Sequence, residues 1–99
     1  MFMRTRSKET AEFAINLAQE FYKNCPPDPP GKTLRVTHIA RAIDAVCNQA
    51  GDFQRMKRLG IYGRAKLGTE FKMRMKELGY PGDFIDELLR RLLISMSGK

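Results

Sequence analysis

Tryptophan is absent from the 99 residues, histidine occurs once (His38), and cysteine occurs twice (Cys25 and Cys47). Each scarcity excludes something. One histidine and two cysteines cannot complete a four-ligand zinc site. Two cysteines also fall short of the disulfide framework of a small secreted domain, so two reduced thiols are expected. No apolar run approaches the ~20 residues needed to cross a bilayer. The opening MFMRTRSKE carries charge with no apolar stretch behind it, which is not the layout of a secretory signal. No segment alternates apolar and polar residues over strand length, KTLRV being the only weak candidate. The expectation is a cytoplasmic all-α protein with no membrane association and no cofactor.

Catalytic groups are equally sparse. His38 and Asp44 stand six apart in a predicted helix, about 240° round its axis, and do not face each other. Cys25 falls at the end of a predicted helix, where the dipole disfavours a thiolate. Gly63 and Gly68 have the G-x-x-x-x-G spacing of a P-loop, but Thr69 stands where that motif requires lysine. Asp83, Asp86 and Glu87 are better explained as partners of a helix N-terminus than as a metal cluster. The chain reads as non-enzymatic.

What is present is a helical pattern. After Ser7 as N-cap, Ala11, Ala14, Ile15, Leu17, Ala18, Phe21 and Tyr22 share one face, and Glu12, Asn16, Gln19 and Glu20 the other. CPPDPPG ends this helix, because proline removes a donor and restricts the residue before it. A second helix from about Thr37, or from Thr33 if Leu34 and Val36 belong to it, carries Val36, Ile39, Ala40, Ala42, Ile43, Val46, Cys47 and Ala50, and is expected to stop at Gly51. Asp52 then caps a short helix over FQRMKRL with Phe53, Met56 and Leu59 inward, and GIYG forms a turn. The next helix, within residues 64–78, aligns Leu67, Phe71, Met75 and Leu78, with Gly68 as an alternative breakpoint. The last helix, capped by Asp83, spans a wide apolar face from Phe84 to Met96 and is expected at the centre. The fold class is thus an all-α compact bundle of four to five short helices with a Pro-rich connector after the first. Residues 1–99 form one domain in this reading, with 1–6 flexible and 97–99 a frayed tail.

Charge is the most informative feature. The net +7 resides almost wholly in residues 55–76, where eight Lys and Arg face Glu70 alone; the rest of the chain is neutral overall. A phosphate-binding surface is expected there, built from Arg55, Lys57, Arg58, Gly60, Tyr62, Gly63, Arg64, Lys66, Lys72, Arg74 and Lys76. The glycines allow a close backbone approach, a helix N-terminus offers free N–H groups, and Tyr62 can stack on a base. The G-x-x-G spacing is that of KH modules, but the three strands such a module needs are missing. A helix-turn-helix arrangement lacks any Asn or Gln in the would-be reading helix, so contacts with DNA or RNA backbone, not base edges, are expected. The competing expectation is an adaptor that docks an acidic protein surface, with homodimerisation through the last helix. Met73 lies off the apolar stripe of its helix and is expected to pack under a neighbouring helix or a dimer mate.

Overall fold

The computed structural model describes residues 2–27 and 36–97, with side chains at 8–27 and 37–96. Four helices account for most of this: α1 (Phe2–Asn24), α2 (Val36–Lys57), α3 (Ile61–Glu77) and α4 (Gly82–Ser97). There is no strand among the described residues. The chain is a small all-α bundle. Of the proline-rich connector only the entry at Cys25, Pro26 and Pro27 is described; the rest lies outside the described residues, as does all of KTLRV except Val36, which opens α2.

α1 begins at Phe2, ahead of the expected cap at Ser7, because MRTR contains no helix breaker and the helix propagates back through residues 2–6. Its buried face is Ala14, Leu17, Ala18 and Phe21, while Glu12, Asn16, Gln19 and Glu20 are exposed as the period requires.

The larger departure is in α2. Gly51 does not end it, and Asp52 does not cap a new helix; α2 runs unbroken to Lys57. Glycine inside a helix costs about 1 kcal/mol relative to alanine. Here the missing Cβ lets α4 come close, with the Ser95 carbonyl oxygen 3.4 Å from where that Cβ would stand. The continuation is also held from α1. Phe53 stacks on Phe13 with ring centroids 4.0 Å apart and planes 6° from parallel, and Lys57 pairs with Glu9 at 3.5 Å. Stacked rings of this kind contribute about 1 kcal/mol beyond their burial, enough to offset the glycine. Asp52 becomes a mid-helix partner of Arg55.

Packing pairs the helices in an order that differs from the chain order. α1 packs chiefly on α3, α4 lies between α2 and α3, and α1 touches α2 less extensively. The last helix is therefore one side of the bundle, flanked by two helices, and not its axis. Gly68 does not break α3. It is buried, with Leu89 and Leu93 of α4 at 3.4 and 3.6 Å from its would-be Cβ. Leu67, Phe71 and Met75 fill the core beside Ile85, Leu88, Leu92 and Met96. Cys47 is a small core residue of α2.

One end of the bundle is closed by Tyr80. α3 terminates in a Schellman motif: Gly79 takes φ 99°, its N–H donates to the Lys76 carbonyl at 3.1 Å, and the Tyr80 N–H donates to the Met75 carbonyl at 3.3 Å. Tyr80 is thereby turned inward, and its hydroxyl donates to the Cys25 carbonyl at 2.5 Å. Phe21 and Phe84 flank its ring at 5.7 and 5.6 Å. α4 starts at Gly82, one residue before the expected cap. The Pro81 carbonyl accepts from the Ile85 N–H at 3.0 Å, and Asp83 sits within the first turn.

Two outcomes follow from this packing. Gly68→Ala places a methyl in ordinary contact with leucine side-chain ends and removes a helix penalty, so urea unfolding should show a gain of about 0.5–1 kcal/mol. Tyr80→Phe leaves the Cys25 carbonyl without its donor and should lower stability by about 1–2 kcal/mol with helical circular dichroism unchanged at low temperature.

Candidate nucleic-acid interface

The basic stretch occupies the other end of the bundle and one face of α3. Its centre is the turn between α2 and α3, and that turn is not GIYG. Ile61, Tyr62 and Gly63 form the first turn of α3, with Gly60 as an extended N-cap. The reversal is made by Arg58, Leu59 and Gly60. Leu59 is buried and acts as the anchor: its side chain folds over the start of α3, lying 3.0 Å from where a Cβ on Gly63 would be. A side chain at 63 would crowd it, which is why a glycine inside the first turn is tolerated.

Arg58 occupies an unusual backbone position. Its φ is 52°, the only positive value at a non-glycine among the described residues. The Leu59 N–H donates to the Gln54 carbonyl at 3.1 Å, five residues back, as the Tyr80 N–H does to Met75 at the end of α3. α2 and α3 thus end in related ways, with Gly79 at the left-handed position in one and Arg58 in the other. Left-handed backbone at a side-chain-bearing residue costs on the order of 1 kcal/mol. Arg58 is exposed and has no ion-pair partner among the described residues.

The remaining cations divide by their partners. Arg55 pairs with Asp52, Lys57 with Glu9, Lys66 with Glu70 at 3.0 Å, and Arg74 with Glu77 at 3.3 Å. Arg64, Lys72 and Lys76, like Arg58, have no carboxylate partner among the described residues. Exposed pairs of this kind contribute little to stability, but they lower the charge available to an anion.

The helical period also separates them in direction. At about 100° per residue, Arg64 lies about 160° round α3 from Tyr62, and it is half-buried. Arg74 is likewise half-buried on a flank. Tyr62, Lys72 and Lys76 are on the outward side, with Lys66 at its edge. Two further residues that the charge pattern did not single out share this side: Thr69, and Met73, which is 52% exposed and so is not covered by a neighbouring helix among the described residues. Their signal in the sequence is spacing, since Tyr62, Thr69, Met73 and Lys76 follow i, i+7, i+11 and i+14, the repeat of one helix face.

The corner also exposes apolar side chains. Tyr62 is 86%, Met56 77% and Ile61 75% exposed. The α3 N-terminus beside them has no side-chain cap, because Gly60 carries no acceptor. Its first N–H groups are left to solvent or to an anion.

Elsewhere the reactive groups are withdrawn. Burial pushes the thiols of Cys25 and Cys47 up, at Cys47 against a hydrogen bond from Ser95. Burial, with smaller contributions from Cys25 and Tyr22, likewise raises the Tyr80 phenol far above its usual range, so it stays a hydrogen-bond donor. His38 is exposed, and its Nε2 lies 2.7 Å from the Asn24 carbonyl, where it links the start of α2 to the end of α1. No group of three or more metal-ligating side chains occurs among the described residues, and no described helix is long and apolar enough to cross a membrane. Comparison with protein-family models, with curated proteins and with solved structures gives no match.

The thiol environments set a test. Neither cysteine should react appreciably with a disulfide reagent in the native state, and both should react on adding denaturant; fast labelling of native protein would contradict the burial of Cys25 beside Tyr80 and of Cys47 beside Ser95.

Proposed function

We propose that the protein is a non-enzymatic nucleic-acid-binding protein, acting in an accessory or regulatory role in the cytoplasm through phosphate contacts. The surface is the α2–α3 corner together with the outward side of α3. The observation that carries this reading is Arg58: a cation held in a backbone conformation that favours glycine, exposed, without an acidic partner among the described residues, beside an uncapped helix N-terminus. Glycine would serve the turn better, so the side chain at 58 is best explained by what it does at the surface. Lys72 and Lys76 extend the positive surface along α3, where they are one turn apart.

The test separates binding from folding. Arg58→Gly should raise stability by about 1 kcal/mol, since the left-handed strain is relieved, and should weaken binding to mixed-sequence DNA or RNA. Affinity of the unmodified protein should fall linearly on a log–log plot against salt. The slope should become shallower by about 0.7 for each of Lys72→Gln and Lys76→Gln on single strands, or about 0.9 on duplex. Negligible affinity at low salt would overturn the reading.

A second reading has its own support. Ile61 and Met56 are exposed apolar side chains that phosphate contacts leave unused, and such residues are common in protein interfaces. An adaptor docking an acidic protein surface would use them. It predicts a complex that survives nuclease treatment and high salt, where the nucleic-acid reading predicts dissociation.

A further inference from the structure

The outward side of α3 has a shape as well as a charge. Tyr62, Thr69, Met73 and Lys76 fall within an arc of about 60° at 1.5 Å rise per residue, so the strip from Tyr62 to Lys76 is about 21 Å long. Lys72 stands about 40° beyond Lys76 on one side of the strip, and Lys66, held by Glu70 at 3.0 Å, about 20° beyond Met73 on the other. At the head of the strip stand the exposed ring of Tyr62, the Ile61 side chain and the exposed Arg58. It is a line of alternating apolar and cationic side chains, not a round patch.

Four occupants can be compared against that line. A second copy of the chain would bring Arg58, Lys72 and Lys76 against one another and is disfavoured by like charge. An anionic lipid surface could lie flat along the strip, but beyond its head the strip offers only Met73 as an apolar side chain to insert. An acidic polypeptide matches the cations and supplies no flat face for the tyrosine ring. A nucleic-acid duplex presents phosphates outward and keeps its bases stacked inside, which leaves Tyr62, Ile61 and Met73 uncovered. Unpaired bases supply what the duplex withholds, since every base has a π-face for an aromatic side chain and the backbone between them carries the phosphates.

We propose that α3 is a track for single-stranded nucleic acid, with Tyr62 stacking on an unpaired base at its head and Lys72 and Lys76 holding phosphates further along. The track accommodates on the order of four nucleotides, the lower end of what single-strand binding modules cover. This rests on the nucleic-acid reading above and narrows its substrate class. Arg58 serves both: it engages phosphate whichever form is bound, while Tyr62 discriminates.

The experiment is a fluorescence anisotropy titration of the full chain with a short labelled single strand of mixed sequence and with its duplex, in the same low-salt buffer. The single strand should bind more tightly. Tyr62→Ala should weaken single-strand binding about tenfold and leave duplex binding within about twofold, while Tyr62→Phe, which keeps the stacking face, should bind as the unmodified protein does. Because Tyr62 is exposed, the variants should melt with the parent, which circular dichroism checks. Equal affinity for both forms, with Tyr62→Ala without effect, would overturn the single-strand inference and leave the phosphate-contact reading standing. Absence of binding to either form would overturn both. Retention on anionic phosphatidylserine vesicles or on polyglutamate, not displaced by the oligonucleotide, would overturn both and assign the strip to a membrane or to an acidic protein.

Discussion

One end of the bundle is tied by a buried hydrogen bond between parts of the chain that are far apart in sequence, from the Tyr80 hydroxyl to the Cys25 carbonyl. The carbonyl belongs to the residue after α1, where the last helical acceptors have no partner of their own. Proline follows at once, so the helix cannot continue to satisfy them. Tyr80 supplies the donor from the α3–α4 turn, and burial keeps it protonated. The bond is possible because Gly79 turns the chain left-handed immediately before Tyr80. With Phe84 stacked on the ring and Phe21 tilted against both, the ends of α1 and α3 and the start of α4 are fixed together.

The opposite end is organised differently. α2 and α3 are joined by three residues, yet each finds its main packing partner elsewhere, α2 on α4 and α3 on α1. The connection therefore has little to bury besides Leu59, and it presents Met56, Ile61 and Tyr62 to solvent. A tied end and an exposed end give α3 a defined direction: it is clamped where it finishes and open where it begins. Its positive dipole end consequently points at the same corner where an exposed arginine and an exposed tyrosine gather. That coincidence of dipole, charge and exposed ring is a property of the topology, not of any one residue.

The apolar faces were legible from periodicity alone. The Leu67–Phe71–Met75 row and Ile85, Leu88, Leu92 and Met96 of α4 are buried as their spacing requires, while Phe84 and Leu89 are partly buried and Leu93, on the same expected face, is exposed; the acidic face of α1 is exposed. What misled was punctuation. Gly51 followed by Asp52 reads locally as a stop and a cap, but the stacking of Phe53 on Phe13 and the close approach of Ser95 are tertiary and override it. GIYG reads as a turn because it carries glycines, whereas the true reversal passes through an arginine that no local rule would place there. The basic excess was visible in the sequence; which cations point together was not, since Arg64 and Tyr62 are near neighbours in the chain and nearly opposite on the helix. Pairing with Glu9, Asp52, Glu70 and Glu77 then thins the set further, and the pairing with Glu9 crosses between helices.

Helix ends at Arg58 and Gly79 pose nearly the same backbone problem and answer it with opposite chemistries. At 79 the residue has no side chain and the turn is free of steric cost; at 58 the side chain is among the longest available. Position 58 is therefore where conformational ease and surface charge compete for one codon, and any sequence drift toward a more comfortable loop there removes a cation from the corner. The α3–α4 turn carries no such conflict. The molecule thus contains its own internal control: one helix end closed by a glycine and one by an exposed arginine, both in left-handed backbone.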